Sequence, residues 1–197
     1  MSETIQISEG LQFYFDSNQN QWAIDEILSQ KNIPSDLEWD EIERFNDAKL
    51  SALNVQADYW KCLHHVWNTT WGTAINLSRY QPVAPTFYAG RKGNENSVEW
   101  VWENYFYKAF EFKSYWLYTI CYADAEYGIQ IGFYVEDENG EHEISNRLVL
   151  SDNWLEAEDD ERWSRNKQVQ LAGQSDVNID QLAGLANEAV SALEQKI

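Results

Sequence analysis

Residues 127–135, YGIQIGFYV, alternate without a break. Tyr127, Ile129, Ile131, Phe133 and Val135 point one way; Gly128, Gln130, Gly132 and Tyr134 point the other. A period of two specifies a β-strand with one well-buried face. The preceding stretch, 115–122, is apolar or aromatic on both faces. Tyr115, Leu117 and Cys121 share one, and Trp116, Tyr118, Ile120 and Tyr122 the other. Such a strand is central and covered on both sides. One cover is expected to be helical, the other a loop, a partner or an open aromatic groove. Residues 123–126 are the expected turn between the two strands.

Asn139-Gly140 follows among acidic residues. Both residue types tolerate positive φ, so the dipeptide predicts a type I′ turn and a second hairpin. A two-residue turn there pairs Val135 with Ile144, Ile131 with Leu148 and Ile129 with Leu150, and mismatches only Phe133 with Asn146.

Helices are expected around this sheet. Ser35-x-x-Glu38 reads as a capping box. The stripes Ile42, Phe45, Ala48, Ala52 and Trp60, Leu63, Trp67, Trp71 then predict helices over 36–54 and 57–77, separate or continuous. Before them, Trp22–Leu28 reads as two helical turns, whereas Leu11–Phe15 fits a strand or a helix start. At the other end, Asn178 and Gln181 cap a helix with the stripe Ile179, Leu182, Ala183, Ala186, Ala189, Val190, Leu193 and Ile197. Residues 98–112 carry both periods. Their composition, and the strand that follows, favour a strand over 105–112, with Lys108 and Asn104 interrupting an otherwise aromatic row. Thr86–Ala89 and Lys167–Leu171 are expected to be short strands, the latter at a sheet edge.

The expected fold is therefore α+β: a central antiparallel sheet of about four to six strands, with N-terminal helices and a C-terminal helix packed on it. It reads as one domain over 1–197. A mainly helical part spans 1–78, a Pro/Gly connection 79–97, the sheet part 98–172 and the last helix 178–197.

Charge limits the partners. The chain carries 33 acidic and 14 basic residues, a net −19. Residues 124–161 hold 13 acids and one base, Arg147, and so supply −12 of it. Such a surface repels phosphates and anionic lipid heads and attracts basic partners or cations. No apolar run reaches the roughly 18 residues that a membrane span needs. The N-terminal MSETIQISEG lacks the basic and apolar regions of a signal peptide. Cys62 and Cys121 lack CxxC spacing and sit in apolar surroundings, which fits reduced buried thiols and a cytoplasmic protein.

Catalytic signatures are weak. Glu111-Phe112-Lys113 fits the (D/E)xK half of a divalent-metal nuclease pattern, with Glu95, Glu99 or Glu103 as the second carboxylate. Three-residue matches of this kind are common by chance, and no basic surface for DNA accompanies it. His64, His65 and Cys62 have the wrong spacing to converge on a metal from one helix. His142 sits at the expected hairpin tip. Gly90–Gly93 lacks P-loop spacing. No cofactor or metal is expected, nor direct nucleic-acid binding, and the chain reads as a binding protein rather than an enzyme. The reading favoured is an acidic inhibitory, immunity-type or DNA-mimic protein. It would meet a basic protein partner through Glu136, Asp137, Glu138, Glu141 and Glu143 with Glu156, Glu158, Asp159, Asp160 and Glu161. Trp154 and Trp163, expected to be exposed, would serve as anchors. The alternative is a small-ligand or carbohydrate-binding module with an aromatic pocket. The tryptophan positions discriminate: rings lining an open cavity favour the alternative, and rings in a closed core favour the surface.

Overall fold

The computed structural model describes residues 4–83, 105–124, 128–141, 143–156, 162–164 and 176–197. Its main sheet is antiparallel and has six strands in the order β2-β3-β4-β5-β7-β6. These are β2 (Gln81–Pro82), β3 (Tyr105–Phe112), β4 (Tyr115–Asp124), β5 (Gly128–Asp137), β6 (Trp154–Glu156) and β7 (Arg162–Ser164). β1 (Thr4–Gln6) pairs separately with β8 (Asp176–Asn178), which joins the N-terminus to the lead-in of the last helix.

Helices α1 (Glu9–Asp16) and α2 (Asn18–Ser29) are divided by extended Ser17, whose hydroxyl accepts from the Asn20 N–H at 3.2 Å. Ser8 caps α1 in the same way. Both helices pack on α3 (Trp39–Thr69). Gly10 permits the approach of α1, because a Cβ there would lie 2.9 Å from Val55 Cγ2.

α3 is one helix of 31 residues, roughly 46 Å long. No Gly or Pro falls between Ser35 and Trp71, so nothing in the backbone forces a break between the two expected helices. The start differs from the sequence reading. The first cap is Glu38, not Ser35, and the Glu38 N–H donates to Glu41 Oε2 at 2.8 Å. The residues of α3 that are buried all lie from Ala52 onward. α3 ends where the Thr69 and Thr70 hydroxyls donate to the carbonyls of His65 and Val66. Such bonds compete with the helix ladder. A short α4 (Trp71–Ala74) follows.

α3 and α6 (Ile179–Lys196) cover one face of the sheet. The inner face reads Phe106, Phe110 and Phe112 on β3, Leu117, Thr119 and Cys121 on β4, and Ile129, Ile131, Phe133 and Val135 on β5, all buried. α6 supplies Ile179, Leu182, Leu185, Ala186, Ala189, Val190 and Leu193. Leu185 was outside the expected stripe, and Ala183 is only half-buried. Full burial of a large apolar side chain contributes about 1.5–3 kcal/mol, and this interface holds a continuous set of them.

The first hairpin forms, with Leu117 opposite Val135 and Cys121 opposite Ile131, but β4 runs on through Ala123 and Asp124, which were expected to begin the turn. The strand expected over 105–112 also forms, and joins β4 through the two residues Lys113 and Ser114. The second hairpin does not form. β5 is followed by a turn and then by α5 (Glu143–Asn146), and its other neighbour is β7, with Gly132 opposite Trp163 and Phe133 opposite Arg162. The pairings of Val135, Ile131 and Ile129 with Ile144, Leu148 and Leu150 are thus overturned.

Two local features account for this. The Asp137 carboxylate accepts from the N–H groups of Asn139 and Glu141 at 2.8 and 3.0 Å, which winds the turn around one side chain. Only Gly140 has positive φ there, 78°, whereas a type I′ turn needs two such residues. Buried Ser145 then accepts from the Val135 N–H at 2.9 Å, replacing a ladder bond with a side-chain bond. Ile144 on α5 and Leu148 just beyond it still reach the core. The strands expected at 86–89 and 167–171 lie outside the described residues.

Candidate functional site

The ladder sets three residues in one row on the outer face of the sheet. Glu111 on β3 is opposite Trp116 on β4, which is opposite Glu136 on β5. Directly paired side chains on one face are about 5 Å apart at Cβ. Glu111 is exposed, Glu136 is half-buried, and Trp116 keeps 40% of its surface in solvent. The next row holds Tyr118 opposite Tyr134, their rings stacked at 4.3 Å and 12°. This stack gives the Trp116 side of the face an apolar floor.

The turn beyond β5 extends the acidic surface. Glu138 and Glu141 are exposed, and Asp137 is half-buried while it holds the turn. The row sets Glu111 and Glu136 beside one exposed indole, and the turn at that end of β5 carries the exposed Glu138 and Glu141, whereas Asp137, opposite Tyr115, belongs to the other face. Such a surface can accept several charge-assisted hydrogen bonds from lysine or arginine while an aromatic ring packs against the stems of those side chains.

The residues expected to form the site are only partly brought together. Glu136, Asp137, Glu138 and Glu141 share the β5 end. Glu143 begins α5, Glu156 ends β6 and Trp163 lies in β7. Glu158, Asp159, Asp160, Glu161 and His142 lie outside the described residues, as do Glu95, Glu99 and Glu103. The expectation that Trp154 is exposed is corrected. It is 5% exposed and packs edge-on to Phe133 at 5.0 Å and against Trp71 at 6.3 Å. The acids beside it in sequence suggest a surface position, but β6 turns it onto the core.

The exposed tryptophan of the sheet that sequence reasoning did not single out is Trp116. It sits in a strand apolar on both faces, for one of which a loop, a partner or an open aromatic groove is expected. The signal was the two-residue link Lys113-Ser114, which sets Trp116 opposite Glu111 rather than opposite an apolar residue. The nuclease pattern gains nothing from the fold. Glu111 points outward, and Lys113 lies in the link with its Nζ 5.3 Å from the Phe112 ring centroid. Among the described residues no group of three His, Cys, Asp or Glu could hold a metal ion. His64 Nδ1 lies 3.0 Å from the Asn68 amide nitrogen, and the His64 ring sits edge-on to Phe106.

The other described tryptophans divide. Trp67 and Trp71 are buried between α3, α4 and the sheet, Trp60 is half-buried, and Trp22 and Trp39 are exposed on the helices. Cys62 and Cys121 are both free and buried; burial pushes the Cys62 thiol up to about 12 and Cys121 well above its ordinary value. Neither is poised as a nucleophile. No described helix is long and apolar enough to cross a membrane. Family models, curated proteins and solved structures were all compared with the chain, and none matches it.

Proposed function

We propose that the chain is an acidic binding protein that engages a basic protein partner through the outer sheet face, with Trp116 as its anchor. The observation that carries this reading is the row Glu111, Trp116, Glu136, continued by the exposed acids of the turn. Buried hot spots at interfaces are enriched in tryptophan and ringed by polar contacts. The carboxylates steer and orient a cationic partner. The proposed setting is the cytoplasm, in keeping with two free thiols and the absence of CxxC spacing.

The test uses the immobilised full chain and the variant E111Q/W116A/E136Q/E138Q/E141Q, each passed over lysate of the source cells at low and then high salt. Asp137 is left in place because it closes the turn. The wild type is expected to retain one basic protein stoichiometrically and release it as salt rises, and the variant to lose it. Equal retention by both proteins, or none at any salt, overturns the reading.

A further inference from the structure

On the helix side of the sheet, a cleft of about 360 Å³ opens between the end of α3, α4 and the β2–β3 edge. Trp67, Ile75, Leu77, Pro82 and Phe110 form apolar walls, and Asn68 and Lys108 contribute polar groups. The volume lies in the range of small-ligand sites, on the order of 300–1,000 Å³.

Lys108 is the anomaly in this cleft. It occupies an inner-face position of β3 between buried Phe106 and Phe110. Its ammonium lies 3.9 Å from the Trp67 ring centroid. The chain has 33 acids, yet among the described residues no carboxylate is within ion-pair distance of this amine. Burial lowers its pKa from the ordinary lysine value. A methionine would fill the same row without that desolvation cost. A cation held over an aromatic ring and facing an apolar cleft is the arrangement that recognises an anion with an apolar body.

We propose that this cleft binds a small monocarboxylate with an aromatic or aliphatic body, its carboxylate on Lys108 and its body between Trp67, Ile75 and Leu77. A phosphate dianion is disfavoured. It calls for several convergent donors, and the polar side chains lining the cleft are one ammonium and one amide, Asn68, whose nitrogen lies at His64. The cleft lies on the opposite face from Glu111, Trp116 and Glu136, so either site can fail alone.

The full chain, isotope-labelled, is titrated with 4-phenylbutyrate, with its neutral analogue 4-phenylbutyramide, and with inorganic phosphate, and the indole N–H resonance of Trp67 is followed. The acid is expected to bind saturably, and the amide at least about tenfold more weakly, the loss of one charge-assisted contact. Lys108→Met is expected to erase the difference between acid and amide. Leu77 is 66% exposed, so Leu77→Glu leaves the core intact; it replaces an apolar wall with a carboxylate and is expected to weaken both ligands, the acid more than the amide. No saturable binding of the acid, equal binding of acid and amide, tighter binding of phosphate, or an unchanged preference in Lys108→Met overturns the proposal.

Discussion

The Trp67 indole N–H donates to Thr119 Oγ1 at 3.0 Å, joining the C-terminal part of α3 to the central strand. The Thr119 hydroxyl donates onward to the Lys108 carbonyl at 3.0 Å, so one side chain links α3, β4 and β3. One turn later, Trp71 Nε1 donates to the Ile120 carbonyl at 3.1 Å. Two large indoles are therefore buried with their polar atoms satisfied, which fixes the position of α3 on the sheet.

Thr119→Val keeps the shape and removes the acceptor. It leaves the buried Trp67 N–H without a partner, and the expected loss is about 1–3 kcal/mol. Urea denaturation measures it. A variant as stable as the wild type means that the bond does not secure the helix.

Ser145 takes the place of a neighbouring strand at Val135. Ser145→Ala strands a buried N–H and is expected to cost about 1–3 kcal/mol. Amide exchange at Val135 should accelerate before exchange at Ile131. Uniform protection along β5 in the variant contradicts the role given to Ser145.

Asp25 on α2 has a buried carboxylate oxygen with no partner, and burial raises its pKa from 3.8 to about 6. The folded state therefore holds this proton more tightly than the unfolded chain does. Stability attributable to Asp25 is present below pH 3.8 and is lost as pH rises through about 6. Thermal midpoints measured across that window should fall more steeply for the wild type than for Asp25→Asn. Parallel profiles for the two proteins would exclude the effect.

Lys113 has φ 56°, a left-handed conformation at the first position of the two-residue link between β3 and β4. Glycine adopts that conformation without a Cβ clash. Lys113→Gly is expected to stabilise the fold by up to about 1 kcal/mol, after the greater freedom of glycine in the unfolded chain is offset. A lower denaturation midpoint would show that the lysine stem over Phe112 outweighs the strain.

The elements that were legible in the sequence are those whose signals are local. The alternation of 127–135 gave the face of β5, the Ile179–Leu193 stripe gave α6, and the two-sided apolarity of 115–122 placed β4 in the middle of the sheet. Period and burial are coupled within one element, so these readings needed no distant contact.

Pairing partners and exposure depended on the tertiary structure. Asn139-Gly140 suits a hairpin, but the Asp137 carboxylate and the Ser145 hydroxyl supply nearby acceptors that wind the chain into a turn and α5, and β7 takes the ladder instead. Trp154 and Trp116 exchange the roles that their neighbours in sequence imply, because burial follows the face a strand presents rather than the charge beside it. Lys108 looked like an interruption in a strand pattern. Only the arrival of Trp67 and α4 over the sheet makes it a cation in a cleft. Sequence alone determined the period of β5 and of α6 and the surplus of acid, since these are properties of the chain read residue by residue. Which groups meet across elements was decided by packing, where contacts far apart in sequence compete for the same surface.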